Sequence, residues 1–310
     1  MKFTKRSCSS APTFYNAAMR MNRLIGWLLA AGVVLAVVPA WAWHHEGHQR
    51  LARVAIASLP ADVPAFLREA GAVAANVSVD PDLVRAPTLP QIRDAEGPDH
   101  YIDLEILQGR PLPPLRSQYI RMIGELDVVP AHAGFVPYAV AEWTQRLTMA
   151  LAEYRHWPDD PAIQMKVKIY AGLLTHYSSD LVQPLHTTIH HDGRAVEGRS
   201  PHSGIHSKVD DLLYRFTDEQ VALPESTKLE VYDDVFAAAV GELMKSHALV
   251  DRTYELEKQL PGVKEDVPLT PEVRAFALDR ARHGVRFTAS LIYTAWVKSE
   301  AIKMPEWFKR

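Results

Sequence analysis

Residues 162–181 read AIQMKVKIYAGLLTHYSSDL, with Ile163, Val167, Tyr170, Leu174, Tyr177 and Leu181 recurring at steps of three and four. That spacing lays one apolar stripe along a helix. Upstream, Tyr138 to Trp157 carries Val140, Trp143, Leu147, Leu151 and Tyr154 at the same spacing. Gly47 to Leu59 is a shorter amphipathic stretch stopped by Pro60. Helical spacing returns over residues 205–216, about 228–260 and about 270–300, with breaks at Pro261, Pro268 and Pro271. Residues 71–115 are rich in proline and read as irregular, and 187–204 read as a long polar loop. No strand-like alternation persists beyond a few residues, and no repeat or linker divides the chain. The expected fold is all-α, a single mostly helical domain over residues 43–310.

The first 42 of the 310 residues read differently. Arg23 precedes an apolar run from Leu24 to Val38, followed by Ala40-Trp41-Ala42. A basic flank, a short greasy core and a small-x-small exit predict a secretory signal over residues 1–42, with Met21 as an alternative start. The run is too short for a comfortable membrane span. The mature protein would begin at Trp43 and be exported, to the periplasm or the cell exterior. Its composition changes accordingly. The only cysteine, Cys8, goes with the signal, which excludes disulfides, thiol catalysis and thiolate metal sites from the mature chain. Five basic residues go too, leaving 29 Lys+Arg against 37 Asp+Glu, a net charge of −8. Such a chain has no global attraction for duplex nucleic acid or anionic lipid. All 14 histidines remain.

The densest chemistry lies in THYSSDLVQPLH, residues 175–186. His176 and Asp180 are four apart, so they project from one helix face a turn apart. Pro184 should end that helix and let His186 turn back beside them. His206 and Asp210 repeat the i,i+4 spacing. Imidazoles and carboxylates without thiolates are an ordinary ligand set for zinc or iron, whereas a single pair reads equally as a surface ion pair. Further candidates are Asp82-Leu83-Val84-Arg85, Asp99-His100-Tyr101-Ile102-Asp103, and the expected mature terminus Trp43-His44-His45-Glu46-Gly47-His48.

The order of these blocks resembles the superfamily of zinc-dependent phospholipases C and single-strand-specific zinc nucleases. The blocks are Trp at the cleaved terminus, Gly-His, Asp-x-x-Arg, His-Tyr-Ile-Asp, His-x3-Asp-x5-His and His-x3-Asp. The resemblance spans residues 43–210 and implies an all-α fold with three zinc ions in a cleft. Carried over, the α-amine and carbonyl of Trp43 with His48 and Asp180 would hold one ion. Asp82, His100, His176 and Asp180 would hold a second, so that Asp180 bridges the pair. His186, His206 and Asp210 would hold the third. An α-amine titrates near pH ~7.8 and can therefore become a ligand once the signal is cut.

The activity so implied is phosphodiester hydrolysis, with Asp82 orienting or deprotonating water and Arg85 neutralising a phosphate oxygen. In the nuclease branch Tyr101 would stack a base and Asp103 would accept from its edge. Asp210 matches the nucleases, where the bacterial phospholipases have Glu. His191-Asp192-Gly193-Arg194-Ala195 stands where nuclease members carry Gly-Gly-Asn, Val209 where they carry Trp, and Asp80-Pro81 where they carry Trp-Ala. The expectation is an exported endonuclease acting on single-stranded nucleic acid or nucleotides. The alternative substrate is a phospholipid headgroup. From another class stands a zinc scavenger using the histidine-rich loop of His186, His190, His191 and His202. No stable protein partner is implied.

Overall fold

The computed structural model describes residues 44–308. The expected signal segment and Trp43 lie outside the described residues. From residue 44 onward the chain is built of helices, and among the described residues there are isolated β-bridges but no strand. The all-α expectation holds. No described helix is long and apolar enough to cross a membrane.

Helix α1 (His44–Ala57) leads through α2 (Ala65–Arg68) into α3 (Gly71–Val77), α4 (Asp80–Leu83) and α5 (Pro90–Glu96). The expectation of an irregular 71–115 is therefore corrected, because that segment folds as short helices. The reason is visible in the residues. Gly71–Val77 contains three alanines, which favour helix, and Pro81, Pro90 and Pro98 sit in first turns, where a missing N–H costs nothing. Single 3₁₀ turns over Gly97–His100 and Leu104–Leu107 follow. After α6 (Arg116–Gly124) and α7 (Pro130–Ala133) come the two long helices seen in the periodicity, α8 (Val136–His156) and α9 (Pro161–Val182). The rest comprises α10 (Ile205–Asp210), α11 (Asp218–Val221), α12 (Val235–His247), α13 (Val250–Glu255) and α14 (Pro271–Ser299). Residues 211–215 form a 3₁₀ turn, and residues 228–234, expected within a helix, are irregular.

Helix α9 is the axis of the molecule. Asp160 caps it, its carboxylate accepting from Ala162 N at 2.8 Å and Ile163 N at 3.3 Å, and Pro161 occupies the first turn. Helices α1, α3, α8, α12 and α14 all pack against it. Ile163, Val167, Leu174, Tyr177 and Leu181 are buried as the stripe requires. The last two turns are buried on every side, so the polar residues there must find partners inside. Thr175 donates back to Ala171 O at 2.8 Å, and Ser178 meets Thr288 of α14 at 2.6 Å. His176 and Asp180 stand in this same dry stretch. Close approach of α3 depends on Gly172, where a Cβ would sit 2.8 Å from the Ala74 carbonyl oxygen.

Candidate metal centre

Each wall of the site arrives by a separate piece of local structure. Pro184 ends α9 as its missing N–H demands, and a 3₁₀ turn over Pro184–Thr187 swings His186 back. The turn carrying His100 is anchored by Asp99, which accepts from Arg116 at 2.6 Å, while the same guanidinium reaches Glu142 of α8 at 2.9 Å. The 100–102 and 186 backbones are then tied together: Ile102 N donates to His186 O at 2.9 Å, and His186 Nδ1 to His100 O at 2.7 Å. Gly134 makes the opposite side possible, since at φ 82° a Cβ there would lie 2.1 Å from the Tyr101 carbonyl oxygen.

Three groups of donors result, each with ligand atoms within 4.8 Å of one another: His48, His176 and Asp180; Asp82, His100 and His176; His186, His206 and Asp210. All are buried, and these groups could hold metal ions. Asp180 reaches toward two sides at once. Its Oδ1 is 3.5 Å from His48 Nε2 and 3.6 Å from His186 Nδ1, and its Oδ2 is 3.1 Å from His100 Nδ1 and 3.3 Å from His176 Nε2. His206 Nε2 and Asp210 Oδ2 are 3.2 Å apart. A tetrahedral ion with bonds of about 2.0–2.1 Å has donor–donor edges of roughly 3.3 Å. The spacings of Asp180 to His48, His100 and His176, and of His206 to Asp210, suit such edges.

The imidazoles are also oriented. Nδ1 of His176 donates to Ser78 O at 2.7 Å and that of His206 to His191 O at 3.1 Å, as His186 does to His100 O. Ser179 Oγ gives its proton to His176 O at 2.8 Å, so it accepts from His48 Nδ1, also at 2.8 Å. Each such bond fixes the tautomer that leaves a lone pair on Nε2, which is how a ligating histidine is held. Gln183 Nε2 donates to Asp210 Oδ1 at 2.8 Å.

Electrostatics points the same way. Burial pushes the Asp180 carboxyl well above its ordinary range and that of Asp82 up to about 6, although His176 and Arg85 pull Asp82 down. Burial likewise holds His100 and His186 well below the usual imidazole value, and lowers His176. For His206 burial is outweighed by the Asp210 carboxylate, and its value rises. A cation bound among these buried groups would hold the carboxylates in their ionised form and the imidazoles in their neutral form, the two forms that ligate metal. Atoms without a hydrogen-bond partner among the described residues include His100 Nε2, His186 Nε2, Asp82 Oδ2, Asp180 Oδ1 and Asp210 Oδ2. The donor set and its unspent atoms fit a metal cluster.

A cavity of about 260 Å³ opens onto two of the three groups, lined by Arg85, His100, Tyr101, Asp103, Leu185, His186, His191 and His206. Arg85 Nη1 is 3.2 Å from Asp82 Oδ1. The Tyr101 hydroxyl donates to Ala131 O at 2.8 Å, so the ring is what it offers the cavity. Burial, then the nearby Glu105, pushes Asp103 up to about 7. A larger cavity, about 540 Å³, runs along Arg53, Asp218 and Leu229 and contains none of the donors.

Of the residues singled out in the sequence, those from His48 to Asp210 thus converge, while Trp43 lies outside the described residues. His45 is exposed beside Glu46 and joins none of the groups; nor do His190, His191 and His202. Sequence reading missed Ser78, Ser179 and Gln183, which orient the donors. A polar Gln just before the helix-ending proline was the one available signal. No protein-family model matches the chain, and no curated protein matches it.

Proposed function

We propose that the protein is an exported zinc-dependent phosphodiesterase of the phospholipase C and single-strand nuclease type, acting on single-stranded nucleic acid. One observation carries this reading: His100 of the second donor group, His186 and His206 of the third, and the guanidinium of Arg85 line one cavity whose walls also include Tyr101 and Asp103. A metal store has no use for a cation and an aromatic ring at its mouth. Zinc is favoured by nitrogen and oxygen donors at tetrahedral spacing without thiolates.

His48 and Asp180 would hold one ion together with the Trp43 amine, Asp82, His100, His176 and Asp180 the second, and His186, His206 and Asp210 the third. Bound zinc supplies Lewis acidity and lowers the pKa of water, which suits an in-line displacement at phosphorus. Asp82, with Arg85 held beside its Oδ1, would orient that water and accept its proton. Arg85 offers a phosphate oxygen its planar donors. Tyr101 provides a stacking face, and Asp103 an acceptor for a base edge.

A phospholipase C reading draws on a different feature. Leu83, Leu89 and Ile92, 55%, 46% and 36% exposed, lie on the segment that runs out from Asp82 and Arg85. The test is side-by-side hydrolysis of single-stranded DNA, RNA and a phosphatidylcholine analogue by the zinc-loaded protein. The expected result is cleavage of the nucleic acids, with Tyr101→Ala weakening them by ~1–3 kcal/mol and sparing a small generic phosphodiester. Cleavage of the lipid alone would transfer the assignment to the phospholipases. No hydrolysis by fully loaded protein would end the enzymatic reading.

A further inference from the structure

The loop from 187 to 204 is polar and has no periodicity, yet it is fastened on both sides of one residue. The Tyr254 hydroxyl donates to His190 O at 2.5 Å and accepts from Gly193 N at 3.0 Å. Asp192 accepts on its carbonyl from Ser203 N and Ser200 Oγ, and on Oδ1 from Gly204 N at 2.7 Å and His206 N at 3.3 Å. Gly193 turns with φ 103°, where a Cβ would strike Pro201 Cγ at 2.4 Å. Between these fastenings sits His191.

His191's backbone carbonyl orients His206, but its own ring makes no hydrogen bond among the described residues. The ring lies near those of His206 and His202, with centroids 6.2 Å and 6.3 Å away, and lines the cavity beside His186 and His206. It belongs to none of the three donor groups. Fixing a loop this thoroughly costs conformational entropy. That cost gains a purpose if the uncommitted ring that faces the cavity must be held in place for a ligand. In either protonation state an imidazole carries at least one N–H donor. A ligand held by that N–H offers an acceptor at the edge of the His186–His206–Asp210 group.

We propose that His191 contacts substrate directly, its imidazole N–H holding a phosphate oxygen beside the His186–His206–Asp210 group in the cavity that Arg85 also lines. This rests on the reading of the cavity as a phosphodiester site. Arg85 supplies a permanent charge, whereas His191 supplies a single directed hydrogen bond that fixes which oxygen turns toward the third group. Tyr254 is then a positioning residue, acting through the backbone of the loop.

The probe is inorganic phosphate titrated into the metal-loaded mature protein by calorimetry, with metal content and urea midpoint recorded for each variant. His191→Ala should bind phosphate about tenfold more weakly, the scale of one charge-assisted hydrogen bond, with the full metal complement and an unchanged midpoint. His191→Asn, which keeps an N–H donor, should recover part of that loss, and Tyr254→Phe should show a smaller loss of the same kind. On a cleavable phosphodiester, His191→Ala should raise KM more than it lowers kcat. Unchanged phosphate affinity in His191→Ala overturns the proposal. So does the loss of one ion per chain, which would make His191 a ligand, and so does a wild type that binds no phosphate. If the wild type binds phosphate through His191 yet cleaves neither nucleic acid nor lipid, the functional reading fails and this contact stands.

Discussion

Gln183 Nε2 donates to Asp210 Oδ1 at 2.8 Å, joining the residue that closes α9 to the carboxylate of the third donor group. Both side chains are fully buried. The same Gln183 accepts from Leu185 N, so one amide sets both the turn that delivers His186 and the rotamer of Asp210. Outer partners of this kind typically govern ten- to a hundredfold in metal affinity. Gln183→Leu is expected to weaken one ion of the cluster by about that factor and leave the others unchanged. A competition titration against a zinc buffer, resolving the number of weakened ions, checks it. A uniform loss of all ions would mean the substitution disturbs the fold.

Asp180 should matter more than Asp210. Its carboxylate lies within 3.6 Å of nitrogens on His48, His100, His176 and His186, whereas that of Asp210 contacts His206 and Gln183. Asp180→Asn is therefore expected to lose at least two ions per chain after dialysis, and Asp210→Asn one. Elemental analysis of both variants decides it, and equal losses would argue against a bridging Asp180.

The parts of this structure that were legible in the sequence share a physical cause. The stripes of α8 and α9 are long enough to register a 3.6-residue period, and His176, Asp180, His206 and Asp210 are fixed by i,i+4 geometry alone. The 71–115 segment was misread because prolines there start helices as well as break them, and a helix of four to seven residues is too short to show periodicity. The meeting of His100 with His186 depends on backbone hydrogen bonds across more than eighty residues, which no local pattern encodes. Ser78 escaped notice for a sharper reason. It acts through its carbonyl oxygen, which every residue possesses.

Asp103 gives the protein a pH dependence of definite sign. Its pKa is raised to about 7 in the folded state by burial and by Glu105, and reverts to about 3.8 when unfolded. Below the lower value both states are protonated and nothing is at stake. As pH rises from 3.8 to 7 the unfolded state releases its proton first, so stability falls through that window and levels off above it. Asp103→Asn removes the ionisation. The variant is expected to match the wild type near pH 4 and to exceed it in urea midpoint above pH 7, where its advantage is full. Midpoints measured at intervals from pH 4 to 8.5 test this, and a gain that is constant with pH would assign the effect to packing instead.

Gly172 carries the last prediction, which runs from sequence to packing to site. It lies one turn before His176 on α9, at the point where α3 crosses. An added Cβ would meet the Ala74 carbonyl oxygen and Val77 Cβ, both at 2.8 Å, and backbone cannot yield as a side-chain tip can. Ser78 follows α3 directly, and its carbonyl oxygen holds His176 Nδ1 at 2.7 Å. Forcing α3 outward thus costs packing, about 1–3 kcal/mol for an overfilled core position, and also draws the acceptor away from His176. Gly172→Ala should lower the urea midpoint and weaken the ions held through His176 while sparing the one at His186, His206 and Asp210. Ala171→Gly, a neighbouring core change on the same helix, serves as the comparison: it should reduce stability without selective metal loss. If Gly172→Ala destabilises the protein yet retains all its ions at wild-type affinity, the seating of Ser78 does not depend on this close approach, and His176 is held by the ions themselves.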